Sequence, residues 1–62
     1  MKQRKFNIGN HVYHVTPDSP QGIVIDCIYS LRHNEWTYLV SFSAEEASLE
    51  YMEEELSFNK SF

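Results

Sequence analysis

The sequence predicts an all-β domain of about five short antiparallel strands that curl into a small barrel. Stretches rich in β-branched and aromatic residues alternate with turn residues along most of the chain. Two of these stretches can pair as a hairpin with all their large apolar side chains on one face. The 62 residues allow a single domain, and a hydrophobic fraction of 42% with 23% charged residues is typical of globular proteins.

The first strand is predicted over residues 10–16, which are β-branched and aromatic and stop at Pro17. The following loop carries two prolines, an Asp, a Ser and Gly22, all of which are turn formers. Long apolar runs at residues 22–31 and 36–43 predict the second and third strands. Only four residues separate these runs, which is too few for anything but a hairpin turn.

The hairpin register follows from the apolar pattern. Pairing Leu31 with Trp36 makes every paired side chain on one face apolar, and a slip of one residue destroys that segregation. The predicted core face consists of Ile25, Cys27, Tyr29, Leu31, Trp36, Tyr38, Val40 and Phe42. The opposite face pairs Ile28 with Leu39 and carries Val24 one step further along.

The last third of the chain allows two interpretations. Residues 43–46 fit a helix capping box, and apolar side chains recur at helical spacing, so a helix over 44–56 below a three-stranded sheet is the alternative fold. That fold leaves sheet edges uncovered. A fourth strand at 49–52, a tight turn through the glutamates and a short strand at 56–58 solve the edge problem, and we predict this arrangement.

The chain resembles SH3-like small barrels of the KOW and Tudor type. The resemblance rests on residues 6–15, on the Gly-Ile-Val-Ile-Asp stretch at 22–26, on Tyr-Leu-Val-Ser-Phe at 38–42 and on the acidic turn and Leu at 53–56. The resemblance covers nearly the whole chain after residue 5 and implies one barrel domain, residues 6–62, and the charges of residues 1–5 mark a basic N-terminal tail before it. It also favours an inward Val24, which the register above allows only if the second strand contains a β-bulge.

Charge is distributed unevenly. Residues 1–44 carry four cationic and three anionic side chains, whereas residues 45–62 carry six glutamates and one lysine. Proteins that bind phosphate backbones usually present a basic face. Nucleic acid is therefore a disfavoured partner, through the basic tail only, and an acidic inhibitor or decoy of a nucleic-acid-binding protein is a further alternative.

The polar residues do not predict catalysis or a bound metal. His11 and His14 are three residues apart on one strand and so point to opposite faces, and Cys27 is expected in the core. No Ser or Cys lies in a recognisable nucleophile motif. We expect a non-enzymatic protein without cofactors or metal. With a single Cys and no apolar run long enough for a membrane span, it is expected in the cytoplasm.

The predicted function is that of a small interaction module that binds another protein or a second copy of itself. Ile28 and Leu39 form an apolar pair on the outward face of the hairpin, and Trp36 is predicted at the margin of this surface. Tyr13 lies near a strand end, where aromatic residues of Tudor-like barrels can form a groove for a peptide. The predicted binding residues are Tyr13, Ile28, Trp36 and Leu39.

Overall fold

The structure is a computed structural model that describes residues 2–60. Met1, Ser61 and Phe62, at the ends of the predicted tail and domain, lie outside the described residues. Residues 2–60 form five strands and one 3₁₀ turn, Glu53–Glu55. The strands are β1 (His11–His14), β2 (Gln21–Ser30), β3 (Glu35–Ser41), β4 (Leu49–Met52) and β5 (Leu56–Ser57).

All five strands belong to one antiparallel sheet, so the predicted all-β class is confirmed. The alternative helix over 44–56 is wrong: β4 and β5 occupy this segment, because Tyr51 pairs with Tyr38 in the sheet and Leu56 is needed in the core. The glutamates form the tight turn as predicted. Within that turn the Met52 N–H donates to the Glu55 Oε1 at 2.9 Å.

Strand pairing does not close the sheet into a barrel, contrary to the prediction. The strand order is β4-β3-β2-β1-β5, so β4 and β5 are the two edges. The 3₁₀ turn carries the chain from one edge to the other, and β5 is only two residues long, with both of them paired to β1. Within residues 2–60, β5 pairs with no strand other than β1, so the sheet stays open between β4 and β5.

The β2–β3 hairpin forms, but its register differs from the predicted one by two residues. Tyr29 pairs with Trp36, and Cys27 pairs with Tyr38. The shift is even, so these four side chains keep the predicted face of the sheet. A four-residue turn still connects the strands, and Asn34 adopts a positive φ of 52° in it, a conformation that Asn tolerates.

A β-bulge lies between Val24 and Asp26, as the inward Val24 of the resemblance requires. Ile25 is the extra residue, and beyond it the two faces of β2 exchange. Val24 pairs with Val40 and is fully buried, while Ile25 is 44% exposed. The predictions of Ile25 as core and of Val24 as outward were therefore wrong.

The core contains six fully buried side chains: Phe6, Val12, Val24, Tyr38, Val40 and Leu56. Partly buried side chains packed against them are Cys27, Trp36, Phe42 and Tyr51. The predicted core residue Leu31 is instead 85% exposed, because the shifted register places it in the hairpin turn. Phe6, Val12 and Leu56 come from outside the hairpin and complete the core.

The N-terminal segment is held against the sheet by Tyr38. Its hydroxyl oxygen accepts the backbone N–H groups of Lys5 at 3.0 Å and Phe6 at 3.5 Å. The Phe6 ring packs edge-on to the Tyr38 ring at a centroid distance of 5.1 Å. Gly9 then turns the chain into β1 with a φ of 92°, a value that favours glycine.

Candidate functional site

Two loops at one end of the sheet enclose a cleft of about 340 Å³. One loop joins β1 to β2 (residues 15–20), and the other joins β3 to β4 (residues 42–48). We call this concavity the loop cleft. It is lined by His14, Thr16, Pro17, Asp18, Ser19, Pro20, Phe42, Glu46 and Tyr51. Its volume falls within the ~300–1,000 Å³ that is usual for ligand sites.

Three rings form the floor of the loop cleft. Tyr51 packs edge-on against Phe42 at a centroid distance of 5.6 Å and against His14 at 5.4 Å. Phe42 and Tyr51 also pack on the core, which fixes their orientation. His14 comes from β1 and Tyr51 from β4, which are not neighbours in the sheet. The cleft therefore lies where the unclosed sheet brings two separate strands together.

The proline-containing wall of the cleft is folded back onto β1 by hydrogen bonds. Ser19 Oγ accepts the His14 N–H at 3.0 Å and donates to the Pro20 carbonyl at 3.0 Å. His14 Nδ1 accepts the Thr16 N–H at 3.2 Å, and Asp18 turns the chain with a φ of 62°. Because prolines also restrict the backbone, this wall is preformed rather than ordered on binding.

The loop cleft is electrostatically one-sided. Asp18 and Glu46 belong to its lining, which contains no Lys or Arg. A third carboxylate approaches from the 3₁₀ turn, since Glu55 Oε2 lies 3.8 Å from His14 Nε2. An aromatic floor beneath acidic side chains can hold a ligand that combines an apolar group with positive charge.

The four predicted binding residues do not form one site. Ile28 and Leu39 share the outward face of the sheet, but Ile28 pairs with Thr37 and Leu39 with Asp26, so they are diagonal neighbours rather than a direct pair. Trp36 lies two residues before the inward Tyr38 on β3. It therefore shares the core-side face with Tyr38, opposite to the face of Ile28 and Leu39.

Tyr13 of β1 and Trp36 of β3 pair with residues near opposite ends of β2. Tyr13 pairs with Gln21, whose side-chain amide donates to the Tyr13 hydroxyl at 3.4 Å, whereas Trp36 pairs with Tyr29. A groove built by Tyr13 and Trp36 together is therefore incompatible with the fold.

A larger depression, of about 500 Å³, lies beside Trp36. The N-terminal segment forms most of it and also covers the indole. Trp36 Nε1 donates to the Lys2 carbonyl, and the Arg4 guanidinium carbon lies 5.8 Å from the ring centroid. Among residues 2–60, Trp36 is the single aromatic residue in the lining of this depression, beside Lys2, Gln3, Arg4 and Asn7, whereas three rings form the floor of the loop cleft.

Residues 2–60 contain no group of three or more His, Cys, Asp or Glu side chains arranged to hold a metal ion. Cys27 packs at the edge of the core, with its Sγ 3.6 Å from the Phe6 carbonyl. Burial raises the pKa of the Cys27 thiol above its ordinary value of 9.0, which disfavours the nucleophilic thiolate.

Sequence reasoning missed the loop cleft because its floor residues were assigned other roles. Phe42 was expected as core, His14 was considered as a metal ligand, and Tyr51 belonged to the segment that allowed either a helix or a strand. Their common feature is visible in the sequence: each lies at or near a strand end, beside a loop with prolines or glutamates.

Comparison of the chain with family models, with curated proteins and with solved structures finds no match in any of the three. Among residues 2–60, no helix is both long enough and apolar enough to cross a membrane.

Proposed function

We propose that this chain is a non-catalytic protein-interaction module whose partner docks in the loop cleft. The observation that carries the proposal is the ring cluster of His14, Phe42 and Tyr51 at the bottom of a preformed concavity. Aromatic side chains fixed by a core provide contact area at little entropic cost, and they are enriched where proteins bind one another.

The resemblance to SH3-like barrels of the KOW and Tudor type supports the same proposal. The acidic turn, the short last strand after it and the inward Val24 are the features by which the chain resembles these barrels, although its sheet is open. Such barrels can bind a peptide with aromatic residues near their strand ends, and here His14 ends β1 and Phe42 directly follows β3. The single, unpaired Cys27 is suited to a reducing compartment such as the cytoplasm.

Self-association through the outward face of the sheet is the second candidate function. Ile23, Ile25 and Ile28 are 37–44% exposed along β2, and the half-buried Leu39 lies beside them. A patch of this kind is more than scattered surface apolar residues. Nucleic acid, and the role of an acidic decoy, receive less support, because they would use the N-terminal cations or the glutamates without the ring cluster.

The proposal is tested by selecting binders from a phage-displayed library of random peptides and mapping one selected peptide on the ¹⁵N-labelled chain. We expect the largest amide shift changes in the two cleft loops and around Tyr51. Changes centred on Ile28 and Leu39 instead would favour the outward face and contradict the proposed site. Failure to select any binder would contradict the proposed function.

A further inference from the structure

Residues 45–55 carry charge of one sign only. The six glutamates between residues 45 and 55 are accompanied by no Lys, Arg or His in that segment. This segment supplies one wall of the loop cleft, through Glu46, and part of its floor, through Tyr51. Of the six glutamates, Glu46 lines the cleft and Glu55 lies 3.8 Å from His14 of its floor, so two of these carboxylates lie beside the aromatic concavity.

The chain's own N-terminal cations are engaged elsewhere. Arg4 lies over the Trp36 ring, and Lys5 Nζ lies 5.3 Å from the centroid of the Phe6 ring. Within residues 2–60, no Lys or Arg side chain comes within 4 Å of a carboxylate. The Asp18 and Glu46 carboxylates in the cleft lining are thus free to meet a cation from outside.

The edge of the sheet next to the cleft also favours a ligand of a particular shape. β4 has β3 on one side and, among the described residues, no strand on the other. An exposed edge offers backbone N–H and C=O groups to an added extended segment. Tyr51 lies in β4, so a segment running along this edge passes the ring cluster.

We propose that the ligand of the loop cleft is an extended, positively charged peptide segment, an inference that rests on the function proposed above. One apolar side chain of the segment packs on the rings of Tyr51 and Phe42. A Lys or Arg close to it in sequence reaches the carboxylates of Glu46 and Asp18. The rings provide the contact area, and the carboxylates select for positive charge and speed the encounter.

The peptides selected from the random library test this inference by their composition. We expect enrichment of Lys and Arg around an apolar anchor and depletion of Asp and Glu. A synthetic copy of a selected peptide should bind more weakly at high salt, and replacing its Lys and Arg by Gln should weaken it at every salt concentration. Neutral or acidic consensus peptides would overturn the inference.

A matched pair of charge variants locates the contact. Glu46→Gln should lower the affinity for the selected peptide by about two- to fivefold, the effect expected of a partly exposed ion pair. Glu54→Gln removes the same charge outside the cleft lining and should leave the affinity nearly unchanged. Equal effects of the two variants would mean that only the net charge matters, and would overturn the contact with Glu46.

Failures of the two proposals give different results. Peptides that shift the cleft amides but carry no positive charge would overturn the ligand class and support the interaction module. Charged peptides that leave the amides around Tyr51 and Phe42 unshifted would overturn the proposed function and this inference with it.

Discussion

Replacing Tyr38 by Phe removes one oxygen atom and should destabilise the whole domain. The Tyr38 side chain is fully buried, and its hydroxyl oxygen accepts two backbone N–H groups, from Lys5 at 3.0 Å and Phe6 at 3.5 Å. Phe6 is itself fully buried, so water cannot replace the hydroxyl as the acceptor for its N–H. A buried donor left without a partner costs about 1–3 kcal/mol.

That loss is large for this fold. A domain below about 70–80 residues rarely has more than ~3–5 kcal/mol of stability. Because each kcal/mol shifts Tm by about 4–8 °C at this size, Tyr38→Phe should melt many degrees below the unmodified chain. Thermal denaturation followed by circular dichroism and by Trp36 fluorescence measures the shift. The indole should report early release of the N-terminal segment, since Lys2 and Arg4 lie over it.

Tyr13→Phe is the matched control. Its hydroxyl accepts a hydrogen bond from Gln21 at 3.4 Å near the surface, so its loss should cost less than about 0.5 kcal/mol. If both variants melt like the unmodified chain, the Tyr38 hydroxyl does not hold the N-terminal segment, and the role assigned to it here is wrong.

The remaining predictions concern packing, pH and the hairpin turn. Gly22→Ala should cost about 1–3 kcal/mol, because a Cβ there would lie 2.7 Å from a Phe42 ring carbon; urea denaturation measures the loss. Stability should fall as the pH rises above the ordinary pKa values of 9.0 for Cys27 and 10.0 for Tyr38. Burial raises both pKa values in the folded chain, so the unfolded chain loses these protons first. Melting temperatures across alkaline pH test the sign, and Tyr38→Phe should make stability depend less on pH. Leu31→Ser should leave Tm within a degree or two of the unmodified value, because Leu31 is 85% exposed in the turn. A strong loss of stability would mean that Leu31 is buried in the core and would contradict this placement.

Strand positions could be predicted from the sequence because each strand is marked locally. β-branched and aromatic runs define the strands, and Pro17, Asn34 and the glutamates mark the turns. The predicted and observed boundaries of β2 and β3 differ by only one or two residues, and β4 agrees at both ends. Local chemistry decides these features.

The hairpin register could not be predicted in the same way, because an even shift preserves the alternation of faces. Pairing Leu31 with Trp36 and pairing Tyr29 with Trp36 both leave the large side chains on one face. The choice depends on residues distant in sequence. Phe6 and Leu56 fill the core beside Val24 and Tyr38, and the bulge at Ile25 adapts β2 to them.

The candidate site was unpredictable for a related reason. Its floor joins the last residue of β1, the residue after β3 and the next-to-last residue of β4, and only the topology brings these segments together. Trp36 was predicted at the margin of the outward apolar surface, but the fold places it on the core side, under Lys2 and Arg4. A residue's type indicated its capacity to bind, whereas its neighbours decided whether it was accessible.

Intermolecular NOEs in a complex with a selected peptide test the central claim, that the loop cleft is the docking site, most directly. The cleft predicts NOEs between the ring protons of Tyr51 and Phe42 and one apolar side chain of the peptide, with a Lys or Arg of the same peptide near Glu46. NOEs from the peptide to the methyl groups of Ile28 and Leu39, with none to the Tyr51 ring, would contradict it.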